Sequence, residues 1–155
     1  MTRVLRGDFE TRSAVDLPKR GVHIYANDAS TDVWCFAYAF DDDPIKIWTQ
    51  GDSLPADLKN HIEQGGLFKA WNASFELAIW NSIMVPRYGW PVLRIDQCRC
   101  SMAAAGAMSL PLGLDKAAKA LSLDIEKDAE GYRLMLRMSK PRRINDIGEY
   151  VWWSE

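Results

Sequence analysis

Residues 31–40 read Thr31-Asp32-Val33-Trp34-Cys35-Phe36-Ala37-Tyr38-Ala39-Phe40, a run of β-branched and aromatic residues that is the strongest strand signal in the chain. The acidic turn Asp41-Asp42-Asp43-Pro44 follows, and Ile45 to Thr49 returns as a further strand, so the pair predicts an antiparallel hairpin. Upstream, Arg3 to Phe9 predicts a first strand, with Gly7 either weakening it or marking a close backbone approach. Ser13 to Asn27 reads as irregular, broken by Pro18 and Gly21. Downstream, Leu54, Leu58 and Ile62 fall at helical spacing within Leu54 to Gln64, and Gly65-Gly66 closes that helix. Leu67 to Trp71 predicts a fourth strand. Ser74 is the expected N-cap of a helix whose face carries Phe75, Ala78, Ile79 and Ile83. Pro86 to Pro91 reads as a loop, and helices are expected over Asp96 to Met108, Leu114 to Leu121 and Ala129 to Met138. The order is three strands, a helix, a strand and several helices. It predicts an α/β chain with a mixed sheet clad by helices.

Composition bounds what such a fold does. At 155 residues, the chain has room for one ordinary domain. With 48% hydrophobic and 26% charged residues, it is neither a disordered chain nor a collagen-like repeat nor a membrane bundle. No apolar run approaches the roughly 18 residues of a membrane helix, and no secretory signal is read at the start. The net charge of −2 excludes a strongly basic nucleic-acid clamp. It does not exclude a nucleic-acid enzyme, because bound metal ions supply positive charge where phosphates meet carboxylates. Cys35, Cys98 and Cys100 make no zinc pattern, and His23 and His61 have no partner at ligand spacing; idle thiols in a reducing cytoplasm are the expected reading.

Two acidic motifs stand out. In Asp8-Phe9-Glu10 the carboxylates are two apart, so a strand places them on one face while Phe9 enters the other. Two like charges at close range repel unless a cation sits between them, and a hard divalent ion such as Mg²⁺ or Mn²⁺ is the suitable one. The pairs Asp41/Asp43, Asp124/Glu126, Glu126/Asp128 and Asp128/Glu130 share the spacing but fall in a turn or a charged stretch, where a solvated face is expected. In Asn72-Ala73-Ser74-Phe75-Glu76 the acid falls in the first turn of a helix. Spacing leaves two readings of Glu76 open: a carboxylate favoured by the helix dipole, or one facing back toward Asp8 and Glu10.

These residues resemble the DEDD-type 3′→5′ exonucleases of the ribonuclease-H-like superfamily. The segments DFETRSAVDL, WNASFELAIW and KAAKALSLDIEKDAEGYRLMLRMSKPRR resemble, more narrowly, the N-terminal proofreading region of phage and prophage family A DNA polymerases. The resemblance implies a ribonuclease-H-like sheet over residues 1–139, followed by a basic and aromatic tail over 140–155. It implies catalytic and metal-binding roles for Asp8, Glu10 and Glu76, with Glu76 where the family usually has Asp. It implies substrate-binding roles for Asn72 and Thr11 and a stacking role for Phe9, although a core position is the alternative for any one aromatic here. Two Mg²⁺ or Mn²⁺ ions, a single-stranded DNA 3′ end, a C-terminal polymerase domain in the parent and a cytoplasmic location in a bacterium complete the expectation. The family's third motif, a Tyr or His and then Asp, is expected beyond Lys140-Pro141-Arg142-Arg143. Tyr150 is followed four positions on by Ser154, and Glu155 is out of register. The expectation is therefore a chain that stops before that aspartate and acts weakly or not at all. A stand-alone RNA-directed exonuclease and a catalytically dead exonuclease-fold binding module are the competing readings.

Overall fold

A computed structural model describes residues 3–123 and 128–153. The Asp124/Glu126 and Glu126/Asp128 pairs, and Ser154 and Glu155, therefore lie wholly or partly outside the described residues.

The Thr31–Phe40 run is the second strand of a five-stranded sheet. β1 (Val4–Arg12) and β2 (Asp32–Phe40) pair antiparallel, and β3 (Lys46–Thr49) extends that side. β4 (Leu67–Ala70) lies parallel to β1, and β5 (Cys98–Cys100) lies parallel to β4, giving the order β3-β2-β1-β4-β5. The α/β class and the mixed sheet are as expected, and the hairpin from 32 to 49 is as read.

Side-chain alternation divides the β1–β2 ribbon. Leu5, Phe9, Phe36 and Phe40 are buried on one face, where Phe68, Trp80 and Trp90 pack against them. The Phe36 ring lies 4.3 Å from Phe9 and meets Trp80 edge-on at 5.7 Å, the geometry that aromatic quadrupoles favour. Gly7 is required on this face: a Cβ there would run into the Phe36 ring and come within 3.1 Å of Phe68 Cε2.

Helices cover that face. α1 (Leu17–Arg20) and α2 (Val22–Asn27) occupy the stretch read as irregular. Asp16 caps the first by accepting from Lys19 N–H, and Gly21, at φ 78°, turns the chain into the second. The breakers Pro18 and Gly21 thus start and stop short helices instead of preventing them. α3 (Ala56–Glu63) buries Leu58 and Ile62 as its spacing predicts. α4 (Ala73–Ile79) begins after Asn72, so Ser74 is not its cap; the Ser74 hydroxyl donates to Asn72 Oδ1 at 2.8 Å. The helix widens into a π-turn over Trp80–Met84 and continues as α5 (Val85–Tyr88), where a loop was expected. Pro86 sits at the N-terminal end of that last piece, where its missing N–H costs little, and Gly89 ends it in the left-handed region at φ 68°.

The stretch expected as one helix from Asp96 is a 3₁₀ turn (Ile95–Gln97), then β5, then α6 (Ser101–Ala107). Buried Gln97 anchors it by donating to the carbonyls of Ile62 and Gly66, both at 3.0 Å. α7 (Leu114–Ala120) and α8 (Ala129–Met138) stand as read, and the hairpin β6 (Arg143–Ile144) and β7 (Tyr150–Val151) follows. Among the described residues, no helix is long and apolar enough to cross a membrane.

Candidate metal centre

β1 runs to Arg12, further than the sequence pattern suggests, so Asp8 and Glu10 lie inside the strand. Both point away from the aromatic core. Phe9 between them points into it and is 5% exposed. Its ring is thus given to packing and presents no open stacking face, which is the core alternative of the sequence reading. On the carboxylate face, Asp8 lies opposite Ala37, and Glu10 lies opposite Cys35. The ladder shifts register between Glu10 and Thr11, because Trp34 is an extra residue on β2. Such a bulge re-aims the side chains on either side of it. Asp8 also borders a hollow of about 470 Å³ that is lined on this face by Arg6, Ala37 and Ala39 and closed by the acidic turn at Asp41–Asp43.

Glu76 reaches the same place by a different route. β4 pairs with β1 only from Val4 to Arg6, which leaves the edge of β1 free from there on. The first turn of α4 fills this gap. There the Glu76 carboxyl lies beside the Asp8 carboxyl and the backbone of Phe9, close enough for both to act on its charge. It is 3% exposed, and no protein donor satisfies its Oε2. Two carboxyls bond each other only when one holds a proton. Burial first, with the Asp8 charge adding to it, pushes the Glu76 pKa up to about 8, which favours its protonated form near neutral pH.

The neighbours are displaced in the same direction. Part of Asp8 reaches solvent, but the protein packed about its carboxyl raises its pKa, with the Glu76 bond pulling the other way. Partial burial and the Asp8 charge raise Glu10. The Cys35 thiol is raised by burial, Glu10 and Asp8. Tyr25, buried, hydrogen-bonds the Thr11 hydroxyl at 2.8 Å and is raised by burial, with Glu10 adding to the effect. Carboxyls crowded in this way, with Asp8 open to solvent, make a place that a cation would relieve.

The structure therefore brings Glu76 to Asp8 on β1, the central strand that also bears Glu10, with Thr11 one residue beyond Glu10 and half-buried Asn72 at the start of α4. The donor set is all oxygen, which suits Mg²⁺ or Mn²⁺, and the unsatisfied Oε2 of Glu76 is the atom such an ion would engage. As the side chains stand, Asp8 is turned to Glu76. Among the described residues, no group of three or more His, Cys, Asp or Glu is closed around a common point. Binding an ion thus requires the proton shared by Asp8 and Glu76 to leave and the carboxylates to rotate. Sequence reading missed Cys35 and Tyr25 as neighbours of the acids. The hairpin register, which sets Cys35 opposite Glu10, is the signal that finds the first.

No family model matches the chain. It is 38% identical over 146 residues, 90% of its length, to a DNA polymerase of Bacillus phage SP02. The chain spans 21% of that polymerase, about a fifth of its length.

Proposed function

We propose that this chain is a 3′→5′ exonuclease domain of ribonuclease-H-like fold, belonging to a phage-type DNA polymerase and acting on single-stranded DNA ends. The observation that carries the proposal is the meeting of Glu76 with Asp8 on the strand that also bears Glu10. Acids from two distant segments of the chain meet there, and burial pushes the pKa of one of them, Glu76, up to about 8. The similarity to a phage DNA polymerase supports a nucleic-acid-processing role.

In this reading Asp8, Glu10 and Glu76 would hold two Mg²⁺ or Mn²⁺ ions. Bound there, these would generate hydroxide near neutral pH and stabilise the oxygens that gain charge in phosphodiester hydrolysis. The chain's own part is positional. Asp8 acts on the charge of both other acids, and burial at the first turn of α4 holds Glu76 beside it. Thr11 is oriented by Tyr25, and Asn72 stands at the helix start. Thr11 and Asn72 would contact the terminal nucleotide, and burial around Glu76 would exclude bulk water.

The test is digestion of a single-stranded oligonucleotide labelled at its 5′ end, with Mn²⁺ and the full chain. The reading predicts products shortened from the 3′ end and their disappearance with Asp8→Ala. Shortening that persists in Asp8→Ala overturns it. The arrangement of the acids favours a second reading, a binding module without hydrolysis, because no three of them are closed around a common point. Retained DNA binding without any shortening selects that module.

A further inference from the structure

We propose that the segment from α8 through the β6–β7 hairpin is a track for single-stranded nucleic acid, leading to the carboxylate edge of β1. The direction of the track rests on the exonuclease reading; the binding surface itself does not.

Charge is the first ground. The chain carries a net −2, yet Arg133, Arg137, Lys140, Arg142 and Arg143 fall between Gly131 and Asn145 with no carboxylate among them. All five are exposed. Among the described residues, none of the five lies in an ion pair, whereas Arg3, Arg6, Arg12, Lys19, Lys46, Lys59, Arg87 and Arg94 each have an acid within 4.0 Å. Lys140 feels the charge of Asp16, and Glu130, Asp146 and Glu149 flank the run, but five exposed cations without an ion pair among the described residues of an acidic chain are complementary to a polyanion.

The second ground is how these cations are held. Arg137 lies 4.0 Å and Arg142 5.1 Å from the Trp153 ring, so one indole carries both guanidinium groups. Arg12 sits between Trp34 at 4.7 Å and Trp152 at 4.9 Å, and Tyr150 adjoins Trp152. A guanidinium resting on an indole keeps its N–H fork free for phosphate, and part of its side-chain freedom is already spent. Half-buried Trp152 and Trp153 also place aromatic surface beside the cations. Base stacking uses such surface in a single strand, while a duplex or an acidic peptide has no free base to offer it.

The third ground is position. Trp34, the bulged residue beside Glu10, donates its indole N–H to the Met138 carbonyl at 3.2 Å. Ser13 N–H donates to the Ser139 carbonyl at 2.9 Å. These contacts fix the basic segment to the end of β1, just past Asp8 and Glu10. Between them lies a hollow of about 380 Å³, walled by Ser13 and Asp16 on one side and by Lys140, Arg143 and Tyr150 on the other.

The experiment measures anisotropy of a fluorescent oligothymidylate in EDTA, where hydrolysis does not intervene, over a range of salt concentrations. Arg137→Gln/Arg142→Gln and Lys140→Gln/Arg143→Gln are compared with the unaltered full chain. Each pair is expected to weaken binding about tenfold or more at low salt and to reduce the slope of log affinity on log salt by about 1.4, two contacts at about 0.7 each. Melting curves check folding, and if the first pair unfolds, the second, which lines the hollow, decides. Unchanged affinity and slope overturn the proposal, as does tighter binding of a duplex of equal length. Loss of slope without any 3′ shortening keeps the track and rejects the exonuclease reading; shortening with an unchanged slope does the reverse.

Discussion

Glu76→Gln is the substitution whose consequence follows most directly from the structure. The Glu76 pKa is pushed from 4.5 to about 8, mainly by burial. The folded chain therefore holds a proton that the unfolded chain releases between those two values. Where the native state binds more protons, stability falls as pH rises. The Glu76 contribution is thus intact below about pH 4.5 and is lost as pH climbs through about 8. At 1.36 kcal/mol per pH unit, this interval corresponds to about 4 to 5 kcal/mol. Gln keeps the shape, donates to Asp8 as the protonated acid does, and cannot ionise. In EDTA, Glu76→Gln should match the unaltered chain at pH 5 and exceed it at pH 9. For a domain of this size about 2 to 4 °C accompanies each kcal/mol, so the melting gap at pH 9 should be about 8 to 20 °C. Thermal melts followed by circular dichroism at pH 5, 7 and 9 measure it. Parallel curves for the two proteins would refute the argument, because Glu76 would then ionise in the fold as freely as in the unfolded chain.

Two further substitutions probe the frame around the site. Gly7→Ala drives a methyl into the Phe36 ring one residue from Asp8, and should cost about 1 to 3 kcal/mol in urea denaturation while weakening metal binding. Gln97→Met keeps the volume but strips the buried carbonyls of Ile62 and Gly66 of their donor, with an expected loss of about 2 to 4 kcal/mol in the same assay.

The parts of the fold that were legible in the sequence are those with a long period. β2 announces itself through nine residues rich in β-branched and aromatic side chains, and α3 through Leu58 and Ile62. β5 is three residues, Cys98-Arg99-Cys100, too short for any period and followed by an alanine-rich stretch that reads as helix. The break from α4 into a π-turn depends on how Trp80, Ile83 and Met84 pack, which is a tertiary matter. Asp8 and Glu10 were found because a two-residue period is local. Glu76 stayed undecided because its answer lies in register: β4 leaves β1 after Arg6, and only then is there a gap for the first turn of α4 to enter. The basic run from Arg133 to Arg143 was visible as composition, but its seat on Trp153 and its tether to Trp34 were not.

The central claim is that Asp8, Glu10 and Glu76 together bind a divalent ion. Titration of Mn²⁺ into the chain at pH 8, followed by electron paramagnetic resonance of the free ion, tests it without requiring catalysis. Saturable uptake by the unaltered chain is expected, weakened at least tenfold in Asp8→Asn and clearly reduced in Glu76→Gln. Uptake equal in all three proteins, or none in any, would contradict it.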